Sequence, residues 1–188
     1  MTVKRRPGGR TAQTKSSVFE AVTALVTERG YAALTMTDIA ERAGVAATSL
    51  YRRWGDVRVL IMEVAVERLM QEHPLPDTGT LAQDLRDWAR SIAAGLSSPE
   101  GSAFFQAFIA TALPTGSIGA ARTAALKPRV AQIETMLGRA SVRGEPSTSV
   151  EDVVDMLLAP LYTRTLFGMP TDDSLADRLV QRLLGECH

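Results

Sequence analysis

Apolar residues along this chain recur mainly at intervals of three and four, the spacing that places them on one face of an α-helix. A clear instance lies in TMTDIAERAGVAATSLYRRW, residues 35 to 54. The first apolar face in this stretch consists of Met36, Ile39, Ala40 and Ala43. Few segments alternate apolar and polar residues as a strand does, so the chain is predicted to be all-α, with about nine helices.

Residues 35 to 54 predict two short helices joined by a tight turn. Thr35 is followed three residues later by Asp38, a capping-box arrangement that starts a helix at about Met36. Gly44 is expected to end this helix, because the residue after a helix C-terminus commonly takes a positive φ. A second helix follows over about 47 to 54. The stretch is therefore predicted to be a helix-turn-helix.

The outward face of the second helix has the chemistry of a DNA-reading surface. Small polar side chains let a helix approach base edges, while arginine and tyrosine can bind phosphates. The outward residues are Thr48, Ser49, Tyr51, Arg52 and Arg53.

The run from Gly30 to Val64 resembles the N-terminal DNA-binding domain of the tetracycline-repressor (TetR) family. The matching residues are Gly30, Tyr31, Thr35, Ile39, Ala40, Ala43, Gly44, Val45, Tyr51, Trp54 and Leu60. Two positions depart from the family pattern: Ala46 stands where a Ser or Thr usually caps the recognition helix, at a cost of about 1 kcal/mol, and Val57 stands where a lysine is usual. Taking the resemblance and the outward face together, the candidate DNA-binding residues are Thr35, Thr37, Ala47, Thr48, Ser49, Tyr51, Arg52, Arg53 and Arg58.

Seven further stretches complete the predicted all-α chain. They run over about 11 to 29, 57 to 71, 80 to 96, 99 to 113, 118 to 143, 150 to 167 and 174 to 184. Pro128 is expected to end or kink the helix that contains it, and Pro160 lies inside the next one. Asp172 and Asp173 are expected to cap the last helix.

The predicted domain organisation has three parts. Residues 1–10 form a flexible basic arm, 11–58 the helix-turn-helix DNA-binding domain, and 59–188 a C-terminal regulatory and dimerisation domain. The TetR resemblance implies that the helix over about 57–71 links the two domains. The Pro-rich segment 73 to 77 after it is the candidate boundary. His73 is interpreted as a solvated hinge residue, and the alternative is a ligand or pH contact.

Charge and composition support this division. The net charge is zero, yet residues 1 to 58 carry ten Lys or Arg against five Asp or Glu, and the remainder carries eleven against sixteen. Positive charge concentrated on the helix-turn-helix segment is typical of a DNA-binding domain. One Cys and two His leave little scope for metal or disulfide chemistry, and no cofactor is expected. No apolar run is long enough to cross a membrane and no signal peptide is present, so a cytoplasmic location is expected.

The C-terminal part is expected to supply a homodimer interface and a ligand pocket. The TetR resemblance implies that the last two helices form a four-helix bundle with a partner, and the alternative is that their apolar residues pack inside one chain. The candidate dimer residues are Val154, Leu158, Leu161, Leu175, Leu179 and Leu183. The candidate pocket residues, which could also be ordinary core, are Trp88, Phe104, Phe105, Phe108, Arg122, Met136, Tyr162, Arg164 and Phe167.

Three classes of function remain to be weighed. The first is a homodimeric transcriptional regulator, a repressor that leaves a palindromic operator when an apolar or amphipathic small molecule binds. The second is a DNA-binding protein of the same fold without an effector, acting through a protein partner or as a nucleoid factor. An enzyme is disfavoured, because the sequence lacks a Ser-His-Asp set, a phosphate-binding loop and a metal cluster.

Overall fold

The computed structural model describes residues 8–112, 117–146 and 148–185, apart from the side chains of residues 8–12, 112–119 and 121–122. Over these ranges the chain forms nine helices and no strand, which confirms the all-α prediction. The helices are α1 Gly8–Arg29, α2 Met36–Ala43, α3 Ala47–Trp54, α4 Val57–Glu72, α5 Leu81–Ser97, α6 Pro99–Ala112, α7 Ser117–Val142, α8 (Val150–Val153, Val154–Leu158 and Ala159–Leu166) and α9 Asp173–Leu183.

Helix α1 is longer than predicted, and α7 does not end at Pro128. Helix α1 begins at Gly8, so the last three residues of the predicted arm are helical, and residues 1–7 lie outside the described ranges. Once the apolar face downstream is packed, adding a turn costs much less than starting one. Helix α7 continues through Pro128 rather than ending there. A proline in a helix removes one hydrogen bond, and the remaining turns of this long helix outweigh that loss.

The middle of α8 is a π-helical turn, which the sequence pattern did not predict. It covers Val154–Leu158, and the Ala159 N–H donates to the Val154 carbonyl five residues earlier. Pro160 follows at once and has no N–H to donate. In regular α geometry its ring would clash with the carbonyl four residues before it, and a wider turn relieves that contact.

The first compact unit comprises Met1–Glu67 and Ala103–Arg122. Its core is built from the apolar faces of α1 to α4, together with Phe104 and Ala107 of α6. Polar contacts add to this packing. The Trp54 indole N–H donates to Glu63 Oε2 at 2.8 Å, and Lys15 Nζ lies 3.2 Å from Glu63 and 2.7 Å from Glu67. Helices α1, α3 and α4 are thereby joined through one carboxylate.

The second unit comprises Arg68–Ser102 and Thr123–His188. Its α5 is buried along one face, and α9 packs against it. Arg90 on α5 donates to the Asp177 carboxylate on α9 at 2.8 Å. The N-terminus of α9 is capped by Asp172, whose Oδ1 accepts from the Leu175 N–H at 2.8 Å, as the sequence predicted.

The interpretation of His73 as a solvated hinge residue is wrong. Its side chain is buried, and Nδ1 lies 2.8 Å from the Ser91 hydroxyl on α5. A Cβ at position 95 would lie 2.4 Å from the imidazole, so Gly95 provides the space for the ring. Burial lowers the pKa of His73, an effect that Glu72 opposes and Arg129 reinforces. Residues next to His73 in the chain do not indicate this environment, because Ser91 and Gly95 are distant along the chain.

Ala46 caps α3 without a side-chain hydrogen bond, which generates a stability prediction. Its backbone is extended, with φ −71° and ψ 131°, so a serine there can accept from an N–H of the first turn. We expect Ala46→Ser to raise the free energy of unfolding by about 1 kcal/mol. The measurement is urea denaturation at one fixed protein concentration. Ala47→Ser is the control because position 47 lies inside the helix, and equal effects of the two changes would contradict the capping explanation.

Candidate nucleic-acid interface

A capping box at its start and a left-handed glycine at its end fix the first helix of the helix-turn-helix. The Asp38 N–H donates to the Thr35 hydroxyl oxygen at 3.2 Å, and the Thr35 N–H donates to Asp38 Oδ2 at 3.0 Å. Gly44 has φ 66°, a conformation that a side chain would strain. These contacts set the angle at which α3 follows α2, as predicted.

Helix α3 has one buried face and one exposed face. Leu50 and Trp54 are in the core at 1% and 8% exposure, whereas Tyr51 on the opposite side is 53% exposed. Thr48, Arg52 and Arg53 are also exposed, and Ser49 is half-buried. Ala47, which was predicted to contact DNA, is half-buried and packs against the core instead.

The cations of this unit differ in whether they have a carboxylate partner. Six Lys or Arg side chains are described between residues 13 and 67, and four of them pair with acids of the same chain. The pairs are Lys15 with Glu63 and Glu67, Arg29 with Asp38, Arg42 with Glu28, and Arg58 with Asp56. Arg52 and Arg53 have no ion pair among the described residues.

Arg53 is positioned by an aromatic contact instead. Its guanidinium carbon lies 4.7 Å from the centroid of the Trp54 ring. Such a contact holds a cation without neutralising it, because the ring contributes only a quadrupole. Two unneutralised arginines on the exposed face of one short helix form a surface that can bind phosphate oxygens.

Arg58, Thr35 and Thr37 are in different situations. The Arg58 guanidinium donates to both oxygens of Asp56, at 3.0 Å from Nε and 2.6 Å from Nη2, and these bonds lower the pKa of the Asp56 carboxyl. A DNA phosphate would compete with that carboxylate. The Thr35 hydroxyl donates to Asp38, whereas Thr37 is exposed.

Comparison with known proteins identifies the fold and its class. The family model for bacterial regulatory proteins of the tetR family matches residues 18–64, and the model for the tetracyclin repressor-like C-terminal domain matches residues 75–183. The second match alone spans more than half of the chain. The chain belongs to the TetR family. It is a helix-turn-helix transcriptional regulator, and the family consists of DNA-binding proteins rather than enzymes.

Similar proteins agree with this assignment. The uncharacterized HTH-type transcriptional regulator YdeS of Bacillus subtilis strain 168 is 29% identical over 91% of this chain and 86% of its own. The HTH-type transcriptional regulator AqdR of Rhodococcus erythropolis is 29% identical over 93% of this chain and 86% of its own. The crystal structure of the TetR family transcription regulator SCO0332 superimposes with a TM-score of 0.80 at 26% identity, covering 94% of this chain and 99% of that one.

The predicted pocket residues of this TetR-family chain are distributed over both units. Phe104, Phe105 and Phe108 belong to the first and are buried or half-buried. In the second unit, Trp88 and Met136 are fully buried and Tyr162 is half-buried. Arg164 donates to the Pro170 carbonyl at 3.0 Å, and Phe167 is 75% exposed, so Phe167 does not line an enclosed cavity within one chain. The Arg122 side chain lies outside the described residues.

Most of the predicted dimer residues pack inside the protomer. Val154 is 39% exposed, whereas the other five are at most 9% exposed and can offer a partner little surface. These five are Leu158, Leu161, Leu175, Leu179 and Leu183. The helical spacing identified the apolar face of each helix correctly, and that face turns toward the chain's own core.

Sequence reasoning did not single out Arg129, which is 5% exposed. Its position one residue after Pro128 gave no local signal, because its neighbours come from distant segments.

Among the described residues no group of acidic, His and Cys side chains could hold a metal ion. No helix in the described ranges has the length and apolar character needed to span a bilayer.

The pairing pattern of the cations generates a prediction about salt dependence. We expect Arg52→Gln and Arg53→Gln each to lower the slope of log affinity against log salt concentration by about one unit, because each removes one phosphate contact. Arg42→Gln is the matched control: it removes an exposed arginine of the same unit that Glu28 already neutralises. The measurement is fluorescence anisotropy with duplex DNA at several salt concentrations. If both α3 variants keep the wild-type slope, Arg52 and Arg53 do not contact phosphates.

Proposed function

We propose that this TetR-family protein is a homodimeric repressor that binds a palindromic operator and leaves it when a small apolar or amphipathic ligand binds the second unit. The observation that carries the DNA-binding half is the pair Arg52 and Arg53. They are exposed on the outer face of α3 and lack the carboxylate partners that the other described cations of the first unit have. A cytoplasmic location, with access to chromosomal DNA, is part of this proposal.

Thr48 and Ser49 are the proposed base readers of α3. They occupy its first turn, where a short side chain lets the helix approach the base edges of a major groove. Tyr51, Arg52 and Arg53 come later in the helix and are proposed to bind phosphates. Thr37, at the start of α2, is exposed and is proposed as a further phosphate contact.

The short length of α3 is the reason for proposing a dimer. Helix α3 has eight residues, so one copy reads only a few base pairs. Two copies related by a two-fold axis can enter successive major grooves about 34 Å apart, which multiplies both affinity and specificity. The operator is therefore expected to be an inverted repeat.

The proposed dimer surface is the exposed apolar surface of α8 and the segment after it. Besides Val154, four described residues there expose large apolar side chains. Monomeric proteins rarely expose so much apolar surface in one region, because its contact with water is unfavourable. The four residues are Met156 at 38%, Leu166 at 51%, Phe167 at 75% and Met169 at 46% exposure. This set replaces the buried leucines as the proposed contact residues.

The proposed mechanism is a shift between two populations of the dimer. Helix α4 is continuous from Val57 to Glu72, while the compact units divide at Glu67 and Arg68. The chain thus passes from one unit to the other inside a helix, and a change in the second unit can alter the spacing of the two α3 helices. Affinity for the operator then falls by the free energy with which the ligand prefers the mismatched state.

Selection from a randomised duplex pool tests the function. The purified protein should enrich an inverted repeat whose half-sites are centred about one helical turn, 10 to 10.5 base pairs, apart or a multiple of it. The double variant Thr48→Ala, Ser49→Ala should select a different or more degenerate half-site with the same spacing. Enrichment of single half-sites would contradict the dimer. Enrichment of no sequence would favour the alternative of a nucleoid-type binder without an operator.

Mutation of the α8 surface tests the dimer independently of DNA. We expect Phe167→Glu to raise the dimer dissociation constant by more than about tenfold, because it buries a charge at the centre of the interface. Val142→Glu is the matched control, since Val142 is 90% exposed on α7 of the same unit. Sedimentation velocity over a concentration series measures both. Equal behaviour of the two variants would place the interface elsewhere.

A further inference from the structure

The second unit contains a buried arginine without a counter-charge. Arg129 on α7 is 5% exposed, and no carboxylate lies in ion-pair distance of it among the described residues. Burial lowers the pKa of its guanidinium to about 10, an effect that Tyr162 partly opposes. The group is therefore still charged at neutral pH.

The neighbours of Arg129 satisfy only part of its hydrogen-bonding capacity. Nη1 donates to the His73 carbonyl and to Gln132 Oε1, each at 3.0 Å, and the guanidinium carbon lies 4.6 Å from the centroid of the Trp88 ring. Nη2 is buried and has no hydrogen-bond partner in the described part of the chain. Both hydrogens of Nη1 are thus used, whereas Nη2 has hydrogens left to donate.

Tyr162 does not supply the missing charge. Burial raises the pKa of its phenol, so the hydroxyl is neutral at pH 7 even with Arg129 nearby. Trp88 contributes a quadrupole and an indole N–H that itself donates to the His73 carbonyl at 3.3 Å. The surroundings of the guanidinium are therefore aromatic and uncharged.

A purely structural role explains this arrangement incompletely. Arg129 does hold the His73 carbonyl, and thereby the segment between α4 and α5. A neutral donor could make the same bonds, however, and a buried charge without an opposite charge is strongly destabilising. Native proteins rarely leave such a group unpaired unless it has a use.

We infer that Arg129 binds the carboxylate of an amphipathic organic acid, with Nη2 donating to the acid and the Trp88 and Tyr162 rings contacting its apolar body. A carboxylate suits this donor, because a hydrogen bond between a charged guanidinium and a charged acceptor is stronger than one between neutral groups. A phosphate monoester fits less well, because its second charge would have to be desolvated against a single cation. This inference rests on the proposed function for its role as an effector site, and specifies the class of effector.

Direct binding to the full chain, without DNA, tests the site. Isothermal titration with octanoate and benzoate, against octan-1-ol and benzyl alcohol, compares acids with uncharged molecules of similar size. Wild-type protein should bind an acid on the order of ten- to a hundredfold more tightly than its alcohol, the range expected of a hydrogen bond to a charged group. Arg129→Met should abolish that preference, and Arg129→Lys should retain part of it.

Arg139→Gln is the matched control on the same helix. Arg139 is a half-buried arginine that already donates to the Pro76 carbonyl at 2.7 Å and lies 3.4 Å from the Asp77 carboxylate. Its loss should leave the preference for acids unchanged. Circular dichroism and thermal unfolding establish that each variant is folded, and removal of an uncompensated buried charge in Arg129→Met should not lower Tm.

The outcomes separate this inference from the proposed function. Three results would contradict a carboxylate site at Arg129. These are equal binding of acid and alcohol by wild-type protein, binding of neither acid by wild-type protein, and binding of the acids by Arg129→Met as tightly as by wild-type protein. A lowered Tm for Arg129→Met without acid binding by wild-type protein would assign Arg129 a structural role only. Acid binding that leaves operator affinity unchanged would confirm the site and contradict its role as an effector site. Operator binding without any acid binding would leave the DNA-binding proposal standing.

Discussion

The DNA-binding unit depends on the contacts of one indole ring, that of Trp54. The ring is buried at the C-terminal end of α3, and its N–H donates to Glu63 on α4, whose carboxylate also pairs with Lys15 on α1. The face of the same ring carries the Arg53 guanidinium. A single side chain therefore fixes the rotation of α3 about its axis, ties it to two other helices and orients a cation, so that packing and recognition cannot vary independently in this unit.

Charge in the first unit is arranged by the same geometry. The sequence has an excess of Lys and Arg over residues 1 to 58, but that count does not say which cations can reach a ligand. Lys15, Arg29 and Arg42 are neutralised by acids that the fold brings close, and Arg58 by Asp56, two residues before it. Surface ion pairs of this kind add little stability, and their consequence here is that, among the described side chains of the first unit, the unneutralised positive charge lies on α3. A field confined in this way favours one docking orientation over others.

The features predicted correctly from the sequence are those that depend on residues close together along the chain. Thr35 and Asp38 are three residues apart, and Gly44 follows directly on the helix that it ends, so their roles could be inferred from spacing alone. His73 was misinterpreted because its environment comes from Ser91 and Gly95 on α5. The leucines of α8 and α9 show the same limit: a helical pattern identifies an apolar face, and it cannot distinguish burial by the chain itself from burial by a partner. The π turn before Pro160 escaped prediction because a 3.6-residue period assumes regular geometry.

The two units treat unpaired charge in opposite ways, and the contrast bears on function. Arg52 and Arg53 are unpaired in water, where an isolated charge costs almost nothing and remains available to a polyanion. Arg129 is unpaired in the interior, where a charge without a counter-ion is unfavourable. A ligand that relieves an unfavourable burial gains binding free energy from the relief as well as from its own contacts. Local violations of otherwise consistent packing are where binding sites are expected, and Arg129 is such a violation in the second unit.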